Sequence, residues 1–377
     1  MSRNRSVLIA HPSADVYGSD LQLLETVTAI IGASWTVHVI LPMDGPLVPR
    51  LLQRGAQVTC CSFPVLRKSM LTPWGVFSLL TTLLLAAPTM VRHIRRFRPD
   101  TVLVNTVTIP WWIVAGRLTR RMTVVHVHEA EEDGSRFLLT ALALPNLLAH
   151  RLVVNSRSSG SALALHVPRL RPRITVVHNG MPGPVEDPSP VRARRVDDDA
   201  VVLLVARLSP RKGVDVALEA VASLRRAGRS VRLVICGSVF PGYEWYEQQL
   251  RERACKDDLD GAVELRGYVD STWPLLAQAD VVIVPSRVEP FGNTAVEALL
   301  AQRPVVASDV QGLAEIVEDG INGLLAKAGD AADLARQIAR LLDSPDTAAL
   351  LAHTGRQDAR NRFSPEAYGS AMLRLLG

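Results

Sequence analysis

The sequence has no dinucleotide fingerprint, no cysteine framework and almost no lysine. Its four cysteines cannot cross-link a chain of 377 residues: Cys60 and Cys61 are adjacent, Cys236 and Cys255 stand alone, and none has metal-ligand spacing. A reducing compartment, the cytoplasm, is therefore expected. No G-x-G-x-x-G follows the first strand-like run, which argues against a nicotinamide or flavin enzyme. No D-x-D pair ends a strand-like run either, and Asp197-Asp-Asp199 falls in a proline-rich connector, so no metal cofactor is expected. Basic residues are not interleaved with aromatics, which argues against nucleic acid as a partner. The only early apolar run, Val7 to Ala10, is too short for a signal peptide and meets His11-Pro12 at once.

What is present is core material and an uneven charge. Apolar residues make up 48% of the chain, enough for two packed cores, and the length fits two domains. Residues 1–180 hold 19 basic against 9 acidic side chains, whereas residues 181–377 hold 23 against 28. A basic first half suits an anionic partner such as phospholipid head groups or a phosphorylated acceptor. From Ser69 to Val91 no residue is charged. Pro73–Phe97 has helical length and reads most plainly as a buried crossover helix, but Pro73 and Pro88 leave about 15 residues of usable helix, short of the roughly 20 that span a bilayer. Arg67, Lys68, Arg92, Arg95, Arg96 and Arg98 flank the stretch, as in a segment lying on an anionic membrane surface.

Short β-branched runs alternate with helical stretches throughout. The first half offers strands at Ser6–His11, Trp35–Leu41, Gln57–Ser62, Thr101–Thr106, Thr123–His128, His150–Asn155 and Ile174–His178. The second offers Ala200–Ala206, Val231–Cys236, Val263–Arg266, Asp280–Pro285 and Pro304–Ser308. Such alternation predicts parallel sheets covered by helices on both faces. Met181–Asp199, with four prolines and no apolar period, reads as a linker. The expected architecture is α/β: two tandem, doubly wound, Rossmann-like domains facing a cleft, with ligands beyond the carboxyl ends of the strands. Residues 1–180 form the first domain, 181–361 the second, and a C-terminal helix within 362–377 returns to the first.

Two motifs follow strand candidates in the second half. Glu289-Pro-Phe-Gly-Asn-Thr-Ala-Val-Glu297 is a glycine-bearing turn that opens a helix near Asn293. Free backbone N–H groups and the positive end of the helix dipole suit a phosphate there. Glu297, about one turn in, suits a vicinal diol, and Glu289 before the turn suits a second polyol. Val205-Ala-Arg-Leu-Ser-Pro-Arg-Lys-Gly213 places Arg207 and Lys212 in a loop above the sheet, where both cations suit phosphate oxygens. Lys212 stands out because only four lysines accompany 38 arginines. Each motif also has a plainer reading, as ordinary caps and solvated loop charges.

The pattern E-P-F-G-x-x-x-x-E after P-S-x-x, with A-R-L-x-x-x-K-G upstream, resembles the retaining glycosyltransferases of family 4, which have the GT-B fold. The resemblance extends to Asn179-Gly180, Glu264-Leu-Arg-Gly-Tyr-Val269 and Pro304-Val-Val-Ala-Ser-Asp309. It implies transfer of a sugar from a nucleotide-diphosphate sugar, the co-substrate, to a glycan or lipid-linked acceptor in cell-envelope or exopolysaccharide synthesis. By the same resemblance Arg207 and Lys212 neutralise the departing diphosphate. Phe291, Gly292, Asn293 and Thr294 line the donor site, the last three through backbone N–H groups. Glu297 holds the ribose and Glu289 the donor sugar, while Gly267 and Tyr268 meet the nucleobase. Gly18 approaches the diphosphate, and His128 contacts the donor sugar, with His126 the weaker alternative. Three positions depart from the family pattern: Tyr17 and Ser19 flank Gly18, Ala206 precedes Arg207, and Glu129 follows His128. A nucleotide-sugar epimerase and a non-catalytic partner in a glycan assembly complex are the competing readings.

Overall fold

The computed structural model describes residues 5–66, 73–129, 136–188 and 199–377. Expectations that rest on Arg67, Lys68 and most of the connector, with Asp197 and Asp198, lie outside these residues. The chain divides into two compact units, Met1–Gly180 with Pro365–Gly377, and Met181–Ser364.

The first unit alternates as expected: β1 (Ser6–Ala10), α1 (Gly18–Gly32), β2 (Thr36–Leu41), α2 (Leu47–Gln53), β3 (Gln57–Cys60), α3 (Pro73–Phe97), β4 (Thr101–Val104), α4 (Trp111–Leu118), β5 (Met122–Val127), α5 (Arg136–Ala143), β6 (Arg151–Val154), α6 (Arg157–His166) and β7 (Ile174–Val176). The strands form one parallel sheet in the order β3-β2-β1-β4-β5-β6-β7. Period-2 alternation sends Leu8 and Ala10 into one core and Val7 and Ile9 into another on the opposite face.

The second unit contains β8 (Ala200–Val205), α7 (Val214–Arg226), β9 (Val231–Cys236), α8 (Glu244–Ala254), β10 (Val263–Gly267), α9 (Trp273–Gln278), β11 (Val281–Val284), α10 (Asn293–Leu300), β12 (Val305–Ser308), α11 (Gln311–Ile316), β13 (Leu324–Ala326), α12 (Ala331–Asp343) and α13 (Pro345–Arg362). Its parallel sheet runs β10-β9-β8-β11-β12-β13. The sequence reading missed β13, whose three residues are too few to show a period. Strands β4, β11 and β12 are buried along their whole length, which is why they read as unbroken apolar runs.

The last helix, α14 (Pro365–Leu376), belongs to the first unit and lies on α1. Tyr368 and Thr26 share a hydroxyl hydrogen bond of 2.5 Å, and a Cβ at Gly369 would come within 2.9 Å of the Ala29 Cβ. Thr101 Oγ1 donates to the Leu376 carbonyl at 2.7 Å, so the helix end is tied to β4 as well.

One expectation is corrected. Helix α3 does not stop at Pro88 but runs 25 residues through it. A proline removes the bond to the carbonyl four residues earlier. Here that carbonyl belongs to Leu84, whose position is 75% exposed, so water can satisfy it. Ala86, Met90 and Ile94, spaced by four, bury the other side. Among the described residues no helix is long and apolar enough to cross a membrane.

Candidate functional site

In the second unit the candidate residues gather where β8 and β11 end. Gly213 has φ +66°, and a Cβ there would lie 2.0 Å from the Pro285 carbonyl oxygen. Only glycine lets the loop after β8 press onto the chain leaving β11. That contact carries Lys212 to Glu289: Nζ donates to Oε2 at 2.5 Å, across 77 residues of sequence. Ser286 Oγ donates to the same oxygen at 3.0 Å. The backbone of Glu289 is held too, its N–H donating to Gln311 Oε1 at 2.9 Å and its carbonyl accepting from Gly312 N–H at 3.1 Å. Glu289 is 8% exposed, so its carboxylate is fixed by these partners rather than solvated.

Gly292 caps α10 with φ +120°, and a Cβ there would meet Leu313 Cδ2 at 2.5 Å. The first turn of α10 brings Asn293 and Thr294 to the positive end of the helix dipole, while the Ala295 N–H turns back to the Gly292 carbonyl at 3.0 Å. Thr294 also donates its hydroxyl to the Val205 carbonyl at 3.1 Å, which ties α10 to the end of β8. The Phe291 side chain is core, edge-on to Phe363 at 5.7 Å between centroids, so only its backbone is available to a ligand. Glu297 is partly buried, and burial raises its pKa to about 7; Thr272 Oγ1, donating at 3.3 Å, offsets this only in part.

Arg207 stands in the loop after β8. Its guanidinium lies over the ring of Phe240, 3.2 Å from the centroid. Gly237, with φ +145°, makes this possible: a Cβ there would stand 1.8 Å from the Ala206 carbonyl oxygen, so the loops after β8 and β9 touch. Gly267 ends β10 with φ +71° at a shift in the β9 register, and Tyr268 beyond it is half exposed. Arg211 is exposed, as its plainer reading had it.

In the first unit, Gly18 opens α1 and is exposed. His128 is the first residue past β5, and its Nε2 lies 3.1 Å from Asn105 Oδ1. Glu129 pins its backbone, with Oε2 accepting from the His128 N–H at 3.0 Å while Oε1 accepts from Thr106. Burial raises the Glu129 pKa, and these hydrogen bonds oppose it. Glu129 therefore anchors the chain beneath the histidine rather than its ring. His126 is buried 4.0 Å from the His128 ring, and burial keeps its pKa well below the usual imidazole range.

The motif reading missed Ser286, Gln311, Thr272 and Phe240 in the second unit, and His11, Asp20 and Asn105 in the first. A signal was available for two of them. His11 and Asn105, like His128, are each the first residue past a strand, at β1, β4 and β5, which are neighbours in the sheet. Ser286, Thr272 and Phe240 sit in loops without a pattern of their own, while Asp20 and Gln311 lie in the first turns of α1 and α11.

Two parallel α/β units with polar groups gathered past their strand ends define the class: a tandem doubly wound protein whose second unit holds a Lys212–Glu289 pair in glycine-bearing turns past β8 and β11. Comparison with known proteins gives the same class. Residues 18–182 match the model for Glycosyltransferase Family 4, and residues 187–358 match that for Glycosyl transferases group 1. The chain belongs to the family 4-type glycosyltransferases. It is 30% identical over 179 residues to the alpha-D-kanosaminyltransferase of Streptomyces kanamyceticus, covering 47% of this chain and 45% of that protein. It is 34% identical over 179 residues to the lipopolysaccharide core biosynthesis glycosyltransferase LpsE of Rhizobium meliloti, covering 48% and 50%. The chain thus spans about half the length of these curated relatives. The fold matches that of Anabaena HepE, solved with UDP and glucose, with a TM-score of 0.81 over 98% of both chains at 24% identity.

Proposed function

We propose that the chain is a retaining, metal-independent glycosyltransferase that moves a sugar from a nucleotide-diphosphate sugar to a glycan or lipid-linked acceptor in cell-envelope or exopolysaccharide synthesis. The observation that carries this reading is the Lys212–Glu289 pair held at 2.5 Å beside the N-terminal turn of α10. A lysine there offers charge to a diphosphate, and a fixed carboxylate beside it keeps a second oxygen for a sugar hydroxyl. Arg207 supplies the second cation. As the glycosidic bond breaks, negative charge grows on the leaving diphosphate. Lys212, Arg207 and the N–H groups of the helix tip stabilise it, each contributing on the order of 2–4 kcal/mol in a dry site. The acceptor hydroxyl attacks from the face the diphosphate leaves, and a diphosphate oxygen takes its proton, so configuration is retained. Glu297 holds the ribose, Gly267 and Tyr268 meet the base, and Gly18 and His128 contact the diphosphate and sugar of the donor. No cofactor takes part. The relatives named for kanosaminyl transfer and lipopolysaccharide core synthesis support the transfer, and HepE solved with UDP and glucose supports the donor class.

A thermal-shift screen of nucleoside diphosphates followed by their sugar conjugates tests the donor, since a ligand of the native state raises the melting temperature. Lys212→Ala and Glu297→Ala should then each abolish transfer with the fold intact. Wild-type rates in both variants would remove the assignment.

The acceptor side suits a cytoplasmic, membrane-attached enzyme. On α3, Leu84 and Leu85 are 75% and 81% exposed, and Arg92, Arg95 and Arg96 follow on the same helix, also exposed. An apolar strip beside arginines is the composition of a segment that rests on anionic lipid. Flotation with anionic vesicles at low salt should carry the protein and high salt should release it; no binding at low salt would end this idea.

A further inference from the structure

The strand ends of the first unit carry a continuous line of hydrogen bonds. Asp20, at the start of α1, accepts from Ser13 Oγ at 2.7 Å, from the Tyr17 N–H at 2.9 Å and from His11 Nε2 at 2.7 Å. Burial works against ionisation of Asp20, but the hydrogen bonds from His11, Ser13 and Tyr17 win and hold its pKa below the usual range. Asn105 Nδ2 lies 2.9 Å from His11 Nδ1, and Asn105 Oδ1 lies 3.1 Å from His128 Nε2. His11, Asp20 and Asn105 are buried, so water does not compete for these bonds.

The direction of every bond follows from one end. A carboxylate only accepts, so His11 donates from Nε2, and the Asn105 amide nitrogen set opposite Nδ1 makes that second nitrogen an acceptor, as in a neutral ring. Asn105 must then turn its NH2 toward His11 and its oxygen toward His128. That oxygen only accepts, so the proton of His128 sits on Nε2. We propose that Asp20, acting through His11 and Asn105, locks His128 as its Nε2–H tautomer and so makes His128 Nδ1 a fixed acceptor for a hydroxyl of the bound sugar. The three residues are positioning residues, and the inference rests on the reading that His128 meets the donor. The arrangement selects a sugar that presents a hydroxyl to His128, since a carboxylate at the same place would face a lone pair. Burial pushes the His128 pKa down to about 3, which keeps the ring neutral at ordinary pH.

Long-range proton–nitrogen spectra of the full chain, labelled with nitrogen-15 in the histidine rings, test this directly at pH 7. His11→Gln and His128→Gln assign the two rings. Both should show a single neutral form with the proton on Nε2. A proton on Nδ1 of either ring, an imidazolium, or a tautomer-averaged His128 in the wild type would overturn the proposal. In Asp20→Asn, whose amide can also donate, the His128 signals should shift toward averaged values; unchanged signals would show that the direction does not come from Asp20. The wild-type spectrum decides even if a variant fails to fold. No sugar donor is needed, so failure here is distinct from failure of the nucleotide-sugar screen.

Discussion

Both units wind six strands in the same relative order, with a seventh added in the first, and yet their strand ends do opposite work. In the first unit His11, Asn105 and His128 follow neighbouring strands and satisfy one another in a closed polar line. In the second, Gly213 in the loop after β8 and Gly237 just past β9 have positive φ and let loops press onto neighbouring backbone, which brings Lys212 to Glu289. A doubly wound sheet supplies the location. The residues in the loops past the strands decide whether that location carries a line of hydrogen-bonded side chains or a Lys–Glu ion pair.

The largest effect should come from breaking the loop contacts of the second unit. Gly237→Val places a side chain 1.8 Å from a carbonyl oxygen at φ +145°. It should cost on the order of 3 kcal/mol by urea unfolding; wild-type stability would show that the two loops do not touch. Next, Lys212→Ala should abolish transfer, a loss of about 1000-fold or more. Arg211→Ala, one residue away but exposed, should change it less than about threefold. Equal losses in steady-state rates would mean that general positive charge, not the Glu289 pair, matters.

The two units should also respond oppositely to pH. Glu297 titrates higher folded than unfolded, so as pH rises from about 4.5 to about 7 the unfolded state loses its proton first and stability falls. The loss should be about 2–3 kcal/mol, absent in Glu297→Gln. Asp20 is depressed when folded, so its contribution is present above its unfolded value and is lost as pH falls through the folded one. Asp20→Asn should flatten the acid limb only. Denaturation curves between pH 3 and 8 would separate the two, and one variant altering both limbs would refute the assignment. The smallest change should follow Phe240→Leu. Losing the ring beneath Arg207 removes about 0.5–1 kcal/mol of preorganisation, a two- to fivefold loss of nucleoside diphosphate affinity by calorimetry.

Much of the site was legible because its residues sit in short motifs. Lys212-Gly213 and the run from Glu289 to Glu297 each follow a strand and precede a helix, a local signal that survives without coordinates. The proline in α3 misled for a local reason as well: sequence shows the lost hydrogen bond but not that the freed carbonyl faces water. Phe240 and Thr272 were silent because nothing nearby in sequence marks which loop they will face.

By itself the sequence determined the alternation of strands and helices, and hence two parallel sheets, since burying both faces forces apolar runs with helical periods between them. It also determined which loops carry glycine and charge. Which of those groups meet was decided only by the tertiary structure. Lys212 reaches Glu289, and Asp20 reaches His128 through His11 and Asn105, because strands distant in the chain became neighbours in the sheet. Hydrogen bonds act over about 3 Å, and no local pattern encodes contact at that range between segments so far apart.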